Sequence, residues 1–444
     1  MTVLSIHGTL RRAKFLSGCA AITAAFIGLA AETIAFAEGS SGPVEGTIEY
    51  GYWGNARRAE LTEAVSRAFE AAHPGTQVQG VVAEYVAYIE RLTVQAAAGE
   101  LPCVTQTQST FLATYARRGV LTPLDELVQV GAIDVSGIPN EILETGRVGG
   151  KLYMLPTGTF LRLVAFNAAM AEQHGIAAPP KRGSFDEYKQ WLLAAQQKLP
   201  TGVYAAENEG ANLFTLYSWV AGHGQKFFEG QSLGFQPDLL ASYFEFWEQL
   251  RKAGAVVPAD RLDEQFGAGE TTPLSRGHVL SATRDIPQII QAEQTLANAK
   301  LPSKIEFIRN PVVEGAKSGN VPGTNGLSIS ASCDNVGTAA AYLNFFGNDP
   351  GAALTFQSAN GVVVSSAGQK ALLGSEATPE GVRKSLETLS AVVADGDLAP
   401  ASYPSGYQTL PNLLRRTYED VALKGQSPAE AAARFFEEAS RTLR

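Results

Sequence analysis

The chain has 444 residues, 45% of them hydrophobic and 18% charged, with a formal net charge of −9. That is ordinary globular chemistry with material for two domains, and an acidic balance without a basic stripe excludes a nucleic-acid partner. The histidines beyond residue 37 are His73, His174, His223 and His278, without H-x-x-x-H or C-x-x-C spacing, so neither a metal nor a cofactor is expected.

The chain opens with a basic stretch, Arg11, Arg12 and Lys14, then an apolar run from Phe15 to Ala31, then Ala35-Phe36-Ala37 before Glu38. That order reads as a secretory signal peptide over residues 1–37, with a mature protein starting near Glu38. Cys19 lies inside the apolar run, where a lipid-anchor cysteine would end it. The pair Arg11-Arg12 is one residue out of step with twin-arginine spacing, so general secretion is the simpler route. No later segment approaches the ~18 uninterrupted apolar residues of a membrane span.

Gly46–Trp53 alternates as a strand. A helix is expected over about 57–73, with Leu61, Val65 and Phe69 at helical spacing and Pro74-Gly75 ending it. A strand at Val78–Val82, a helix at Tyr85–Ala98 closed by Gly99, and a strand at Pro102–Thr107 complete a β-α-β-α-β unit, which indicates a largely parallel sheet. Lys151–Pro156 and Leu161–Asn167 read as two further strands. Helices follow at about 185–198, 211–221, 237–254 and 287–297, then a strand over Ile305–Val313, a Gly-rich loop, a strand at Leu327–Ser332 and a helix at 336–347. The tail from Leu410 to Leu443 reads as two helices hinged at Gly425, the second capped by Ser427 with Glu430 three residues on. Beyond residue 37 only Cys103 and Cys333 remain. An oxidising compartment permits one disulfide, but neither cysteine sits in a loop-rich setting that needs a staple, and two separate buried thiols are the expectation.

Several phrases then align in order. They are Phe69-Glu70-Ala71-Ala72-His73-Pro74-Gly75, Ala97-Ala98-Gly99-Glu100-Leu101-Pro102, Gly119-Val120-Leu121-Thr122-Pro123-Leu124 and Gly149-Gly150-Lys151-Leu152-Tyr153-Met154-Leu155-Pro156. Further on come Phe166-Asn167 with Gly175-Ile176-Ala177-Ala178-Pro179-Pro180, Asn360-Gly361-Val362-Val363, and Gln426-Ser427-Pro428-Ala429-Glu430-Ala431. Together they resemble the family 1 extracellular solute-binding proteins of carbohydrate ABC transporters, the maltose-binding-protein-like periplasmic binding proteins, over nearly the whole mature chain. Cys103 departs from the family pattern by standing where Asp is usual, and Val362-Val363-Val364 lacks the usual Pro. The resemblance implies an α/β fold of two lobes, the type II periplasmic-binding-protein arrangement, with ligand in the cleft between them. Lobe 1 would comprise 44–155 and 315–370, and lobe 2 would comprise 156–314 and 371–444. The crossings would fall at Tyr153–Gly158 and Ile308–Glu314. It also implies a periplasmic, monomeric protein without enzymatic activity, whose partners are a carbohydrate and the permease subunits of the transporter.

Sugars are held by aromatic rings against their aliphatic faces and by planar polar side chains at their hydroxyls. Open α/β sheets bind ligands at the carboxyl ends of their strands. Trp53 and Asn55 follow the first strand, Glu84 and Tyr85 the second, Gln106 and Gln108 the third, and Thr157 lies at the expected first crossing. In lobe 2, Arg162 interrupts an apolar strand and Arg284 precedes a helix, with no equally clear pair of acids opposing them; two guanidiniums at the cleft would favour an acidic sugar derivative, the alternative is a structural ion pair such as Arg284 with Asp285, and a neutral saccharide is the default. Trp219 near a glycine pair, Asn325 in the Gly-rich loop and Tyr407 before the Leu410 helix complete the candidate set, while Trp247 reads as core. No G-x-S-x-G elbow or P-loop is present, and Gly267-Ala268-Gly269 lacks the context of a dinucleotide fingerprint. The alternatives from other classes are a secreted carbohydrate-active enzyme and a ligand-binding input to a chemoreceptor.

Overall fold

The computed structural model describes residues 41–266 and 269–443. The expected signal segment, with Arg11, Arg12 and Cys19, lies outside the described residues. Gly46–Trp53 pairs in parallel with Thr76–Ala83 along its whole length, Gly46 opposite Thr76 and Trp53 opposite Ala83. It pairs on its other side with Val104–Gln108, also in parallel. Ile48, Tyr50 and Tyr52 on one pleat face are buried, against Val65 and Phe69 of the helix Ala56–Ala72. Tyr85–Ala98 forms the second helix and stops at Gly99, whose φ of 73° is the left-handed geometry that ends a helix without a Cβ clash. The three strands therefore deliver Trp53, Glu84 and Gln108 to one edge of the sheet.

A single 13-residue strand, Leu155–Asn167, runs where two shorter strands and a crossing were expected. Its first half pairs antiparallel with Pro322–Ile329, which also pairs antiparallel with Val104–Gln108. Its second half pairs with Val279–Asp285 on one side and Ile305–Ile308 on the other. Two mixed sheets thus share one strand. Pro156 and Gly158 read as breakers but sit at sheet positions that suit them. Pro156 lies opposite Gly326 at an irregularity in the register, and a Cβ at Gly158 would run into the carbonyl of Asn360.

The strand expected to reach Val313 stops at Ile308. The chain turns there because Asn310 finds other partners: its backbone N–H donates to Asn320 Oδ1 at 3.0 Å and its Nδ2 to the Arg162 carbonyl at 2.9 Å. Asn320 Nδ2 donates in turn to the Asp397 carbonyl at 3.1 Å. Arg309 Nε pairs with the Asp397 carboxylate at 3.2 Å. Three passages of chain between the sheets are tied together at this point.

Two large apolar cores follow. One packs Ile48, Tyr50, Phe69, Leu327, Tyr342 and Phe346 about the first sheet. The other packs Phe166, Trp191, Tyr243, Trp247, Tyr418 and Phe435 about the second. The helix Glu380–Ala394 places Leu386, Leu389 and Val392 in the first core. Side chains join the second core only from Ala399 onward, later than the change at residue 371 drawn from the resemblance. The two C-terminal helices, Leu410–Lys424 and Pro428–Thr442, meet at Gly425, and Ser427 accepts the Glu430 N–H as a cap. Cys103 and Cys333 form a disulfide, their Cα atoms 4.5 Å apart, which corrects the expectation of separate thiols. Antiparallel pairing of Val104 with Ile329 brings the two cysteines to the same end of the sheet, a juxtaposition that needs the fold to be seen.

Candidate ligand-binding site

The carboxyl edge of the first sheet carries an aromatic and amide rim. Trp53 is largely buried, its ring against Tyr85, Tyr88 and Phe111. Tyr85 remains 40% exposed and covers that cluster from outside. Gln106 is interior: its Oε1 accepts the Trp53 backbone N–H at 3.1 Å, and its carbonyl accepts the Tyr88 hydroxyl at 2.7 Å. Asn55 caps the first helix by accepting the Arg58 N–H. Glu84 stands exposed at the start of the second helix, with no side-chain bond to it.

Gln108 and Asn325 are joined, Nε2 to Oδ1 at 3.0 Å, as their opposed places in the antiparallel pair require. Asn325 Nδ2 continues to the carbonyl and side chain of Asn360, both at 3.1 Å. Gln108 Oε1 accepts from the Thr110 hydroxyl at 2.7 Å and lies 3.4 Å from the Tyr85 hydroxyl. Thr157 Oγ1 lies 3.5 Å from the Asn325 carbonyl. The structure thus brings Tyr85, Gln108, Thr157 and Asn325 together, and it consumes Asn55 and Gln106 in local structure.

A separate cavity of about 330 Å³ is lined by residues around the second sheet. Arg162 and Arg284 line it, as do Asn212 and Phe214 at the start of the helix Leu213–Gly222, Gln265, Gln288, and Asn412 and Arg415 of the penultimate helix. Phe214 presents one face to the Arg162 guanidinium at 4.0 Å and meets Phe160 and Tyr407 edge-on. Asn212, Phe214, Gln265, Gln288 and Asn412 escaped the sequence reading; the N-cap Asn212 beside an aromatic was the available signal. The lobes touch beside this cavity, where Gln408 Nε2 donates to Thr110 Oγ1 at 3.0 Å.

Neither arginine is unopposed, which corrects that expectation. Arg162 Nε binds Asp285 Oδ1 at 3.0 Å. Arg284 is almost fully buried and pairs with the interior carboxylate of Glu207. It also donates to the carbonyls of Thr283 and Gln265 at 3.0 and 2.8 Å and lies 3.9 Å from Glu209. A buried guanidinium without such partners would carry a large desolvation cost. Burial pushes Glu207 up to about 8, against the lowering effect of Arg284 and with a further upward push from Glu209. Trp219 lies in the second core among Phe185, Tyr243 and Phe246 rather than at a rim. Tyr407 is buried against Phe214 and Tyr403, with its hydroxyl unpartnered. Among the described residues no group of His, Cys, Asp and Glu could hold a metal, and no helix is long and apolar enough to cross a membrane.

Residues 64–380 match the family described as bacterial extracellular solute-binding protein. The chain belongs to that family. A curated relative, a binding protein of Brucella abortus (strain 2308), is 26% identical over 138 residues, 30% of this chain, and the match spans about a third (32%) of that relative's length. A periplasmic solute-binding protein of Pectobacterium atrosepticum superposes with a TM-score of 0.75 at 22% identity, over 90% of this chain and 98% of that one. A periplasmic oligogalacturonide-binding protein of Yersinia enterocolitica, in complex with saturated digalacturonic acid, gives 0.70 at 20% identity, over 90% and 100%. At these identities the likeness establishes the fold, the two-lobed arrangement of periplasmic solute-binding proteins. This solute-binding protein therefore sets the amide rim and the arginine-lined cavity on opposite sides of the junction between its sheets.

Proposed function

We propose that this protein captures a carbohydrate between its lobes in the periplasm and delivers it to the permease subunits of an ABC importer, as a monomer and without chemistry. The observation that carries the reading is the cavity beside the interlobe contact. It offers an aromatic ring, Phe214, beside the guanidinium of Arg162 and the amide of Asn412, which is the mixture that sugar faces and hydroxyls require. The rim of Tyr85, Gln108, Thr157 and Asn325 would close over it by hinge motion about the shared strand and the Asn310–Asn320 fastening. That the Yersinia neighbour binds an oligogalacturonide supports a saccharide as the solute class.

The test is mass spectrometry of solute released from natively purified protein, joined to thermal shift against neutral and acidic mono- and disaccharides. Recovery of a saccharide that also raises the melting temperature supports the reading. Recovery of an amino acid, peptide or metal chelate as the stabilising solute would overturn it. Turnover of an oligosaccharide by the purified protein would replace it with the enzymatic alternative.

A further inference from the structure

The amides of the rim form one hydrogen-bonded chain with a fixed direction. Asn360 supplies its anchored end. The Asn360 backbone carbonyl accepts Asn325 Nδ2 at 3.1 Å, and its side-chain Oδ1 lies at the same distance. A carbonyl accepts and never donates. The Asn325 amide therefore cannot be turned over, since its Oδ1 would face that carbonyl, acceptor against acceptor. Asn325 Oδ1 is left to accept Gln108 Nε2 at 3.0 Å. Gln108 Oε1 is left in turn to accept the Thr110 hydroxyl at 2.7 Å, with the Tyr85 hydroxyl at 3.4 Å. Thr110 has one proton and has spent it. It faces the other lobe with lone pairs alone, and Gln408 Nε2 meets it there as a donor at 3.0 Å. All four bonds run the same way, from Gln408 toward Asn360, and bonds in such a series polarise one another.

The backbone is shaped to hold the anchored end. Gln357 and Ser358 have φ of 51° and 59°, the left-handed region that residues other than glycine rarely occupy, and Gly361 has 104°. Gly158 lacks the Cβ that would lie 2.4 Å from the Asn360 carbonyl oxygen. Asn325, Asn360 and Thr110 are buried, whereas Gln408 is exposed. The chain thus has a rigid interior end and one end that movement of lobe 2 makes or breaks. We infer that Asn360 is a positioning residue for the rim and, through Asn325, Gln108 and Thr110, for the contact that closes the lobes. Lobe 1 offers only an acceptor at Thr110, and lobe 2 must close on it with a donor. This rests on the lobe closure proposed above and not on which solute is carried.

Solution scattering of the exported, unliganded protein with two substitutions at the exposed end separates the two possible directions. Gln408→Lys keeps a donor and loses the acceptor, whereas Gln408→Glu keeps acceptors and loses the donor. Gln408→Lys should be as compact as the parent. Gln408→Glu should shift the closed-to-open ratio toward open by about 2- to 10-fold. The reverse order overturns the direction, and a response common to both variants overturns it as well. The role of Asn360 is read at a distance, in protein isotopically labelled in the side-chain amides of asparagine and glutamine. Asn325→Asp cannot donate to the Asn360 carbonyl, and it should move the Gln408 amide resonance, which is identified by its loss in Gln408→Lys. Asn360→Ala removes one of the two acceptors and should move the same resonance by less, which keeps the test open should Asn325→Asp fail to fold. A Gln408 resonance that neither variant moves overturns the positioning role. No solute enters either measurement. A failed saccharide test therefore leaves these results standing, and a refuted chain leaves the saccharide reading standing.

Discussion

Replacing Glu207 by Gln should leave the protein nearly as stable as the parent in mild acid and make it more stable above neutrality. Glu207 has no solvent-exposed surface, one oxygen on Arg284 and the other without a partner. Its neighbour Glu209 is in the opposite condition. It accepts from the Thr283 N–H at 2.8 Å, the Asn212 amide at 2.7 Å and the Thr215 hydroxyl at 3.0 Å, so the neighbouring donors are spent on Glu209 rather than on Glu207. Burial raises Glu207 to about 8, whereas an unfolded glutamate titrates near ~4.3. Between those values the folded protein holds a proton that the unfolded chain has released. Stability from this group is therefore complete below the unfolded value and is lost as pH rises through the folded one. The slope is at most about 1.4 kcal/mol per pH unit, or roughly 5 kcal/mol over the interval. With an unfolding entropy of about 2 cal/mol/K per residue, roughly 5 kcal/mol is about 6 °C for a chain of this size. Melting of parent and Glu207→Gln should be followed in parallel from pH 5 to 8.5, so that titrations common to both cancel. The difference should grow with pH to a few degrees in favour of the variant. A constant difference, or a variant that loses ground as pH rises, would mean that Glu207 is ionised and its pairing with Arg284 is stabilising, and the reasoning would be refuted.

Three further outcomes are expected. The Cys103–Cys333 bond closes a loop across 230 positions; the double serine variant should lose about 2–5 kcal/mol, seen as a lower melting temperature that reductant no longer changes. Gln408→Ala and Thr110→Val each remove one side-chain bond between the lobes. Both should enlarge the radius of gyration of unliganded protein in solution scattering, and curves identical to the parent would rule out a closing role for that contact. The intact mass of exported protein should correspond to a chain beginning near Glu38, and a lipid-modified chain beginning at Cys19 would contradict the signal-peptide reading.

Local rules reached far into this fold. The strand Gly46–Trp53 and the helix Tyr85–Ala98 were legible to the residue, because alternation and a glycine stop are local signals. The strand Leu155–Asn167 was not, because Pro156 and Gly158 are breakers in isolation and become tolerable only beside Gly326 and Asn360. The stop at Ile308 depends on Asn320, twelve positions further on, offering its side-chain Oδ1 to the Asn310 N–H. The cysteine pair depends on an antiparallel register between strands more than two hundred residues apart.

The site shows the same boundary between local and distant information. The rule that ligands meet the carboxyl ends of strands put Tyr85 and Gln108 at one edge of the sheet, where topology alone places them, and Asn325, chosen from the Gly-rich loop, joins them through its antiparallel pairing with Gln108. It could not say which side chains the fold would spend on itself. Gln106 and Gln108 are two positions apart on one strand. Alternation turns Gln106 inward to the Trp53 N–H, while Gln108 stays at the edge with Asn325. The arginines make the point more sharply. An arginine inside an apolar strand signals that a partner exists without identifying it. Arg162 finds Asp285 at a separation of 123 residues, and Arg284 finds Glu207 at 77. Whether a guanidinium in this cavity wall is free for a solute is therefore decided by carboxylates from distant parts of the chain, which no local pattern reveals.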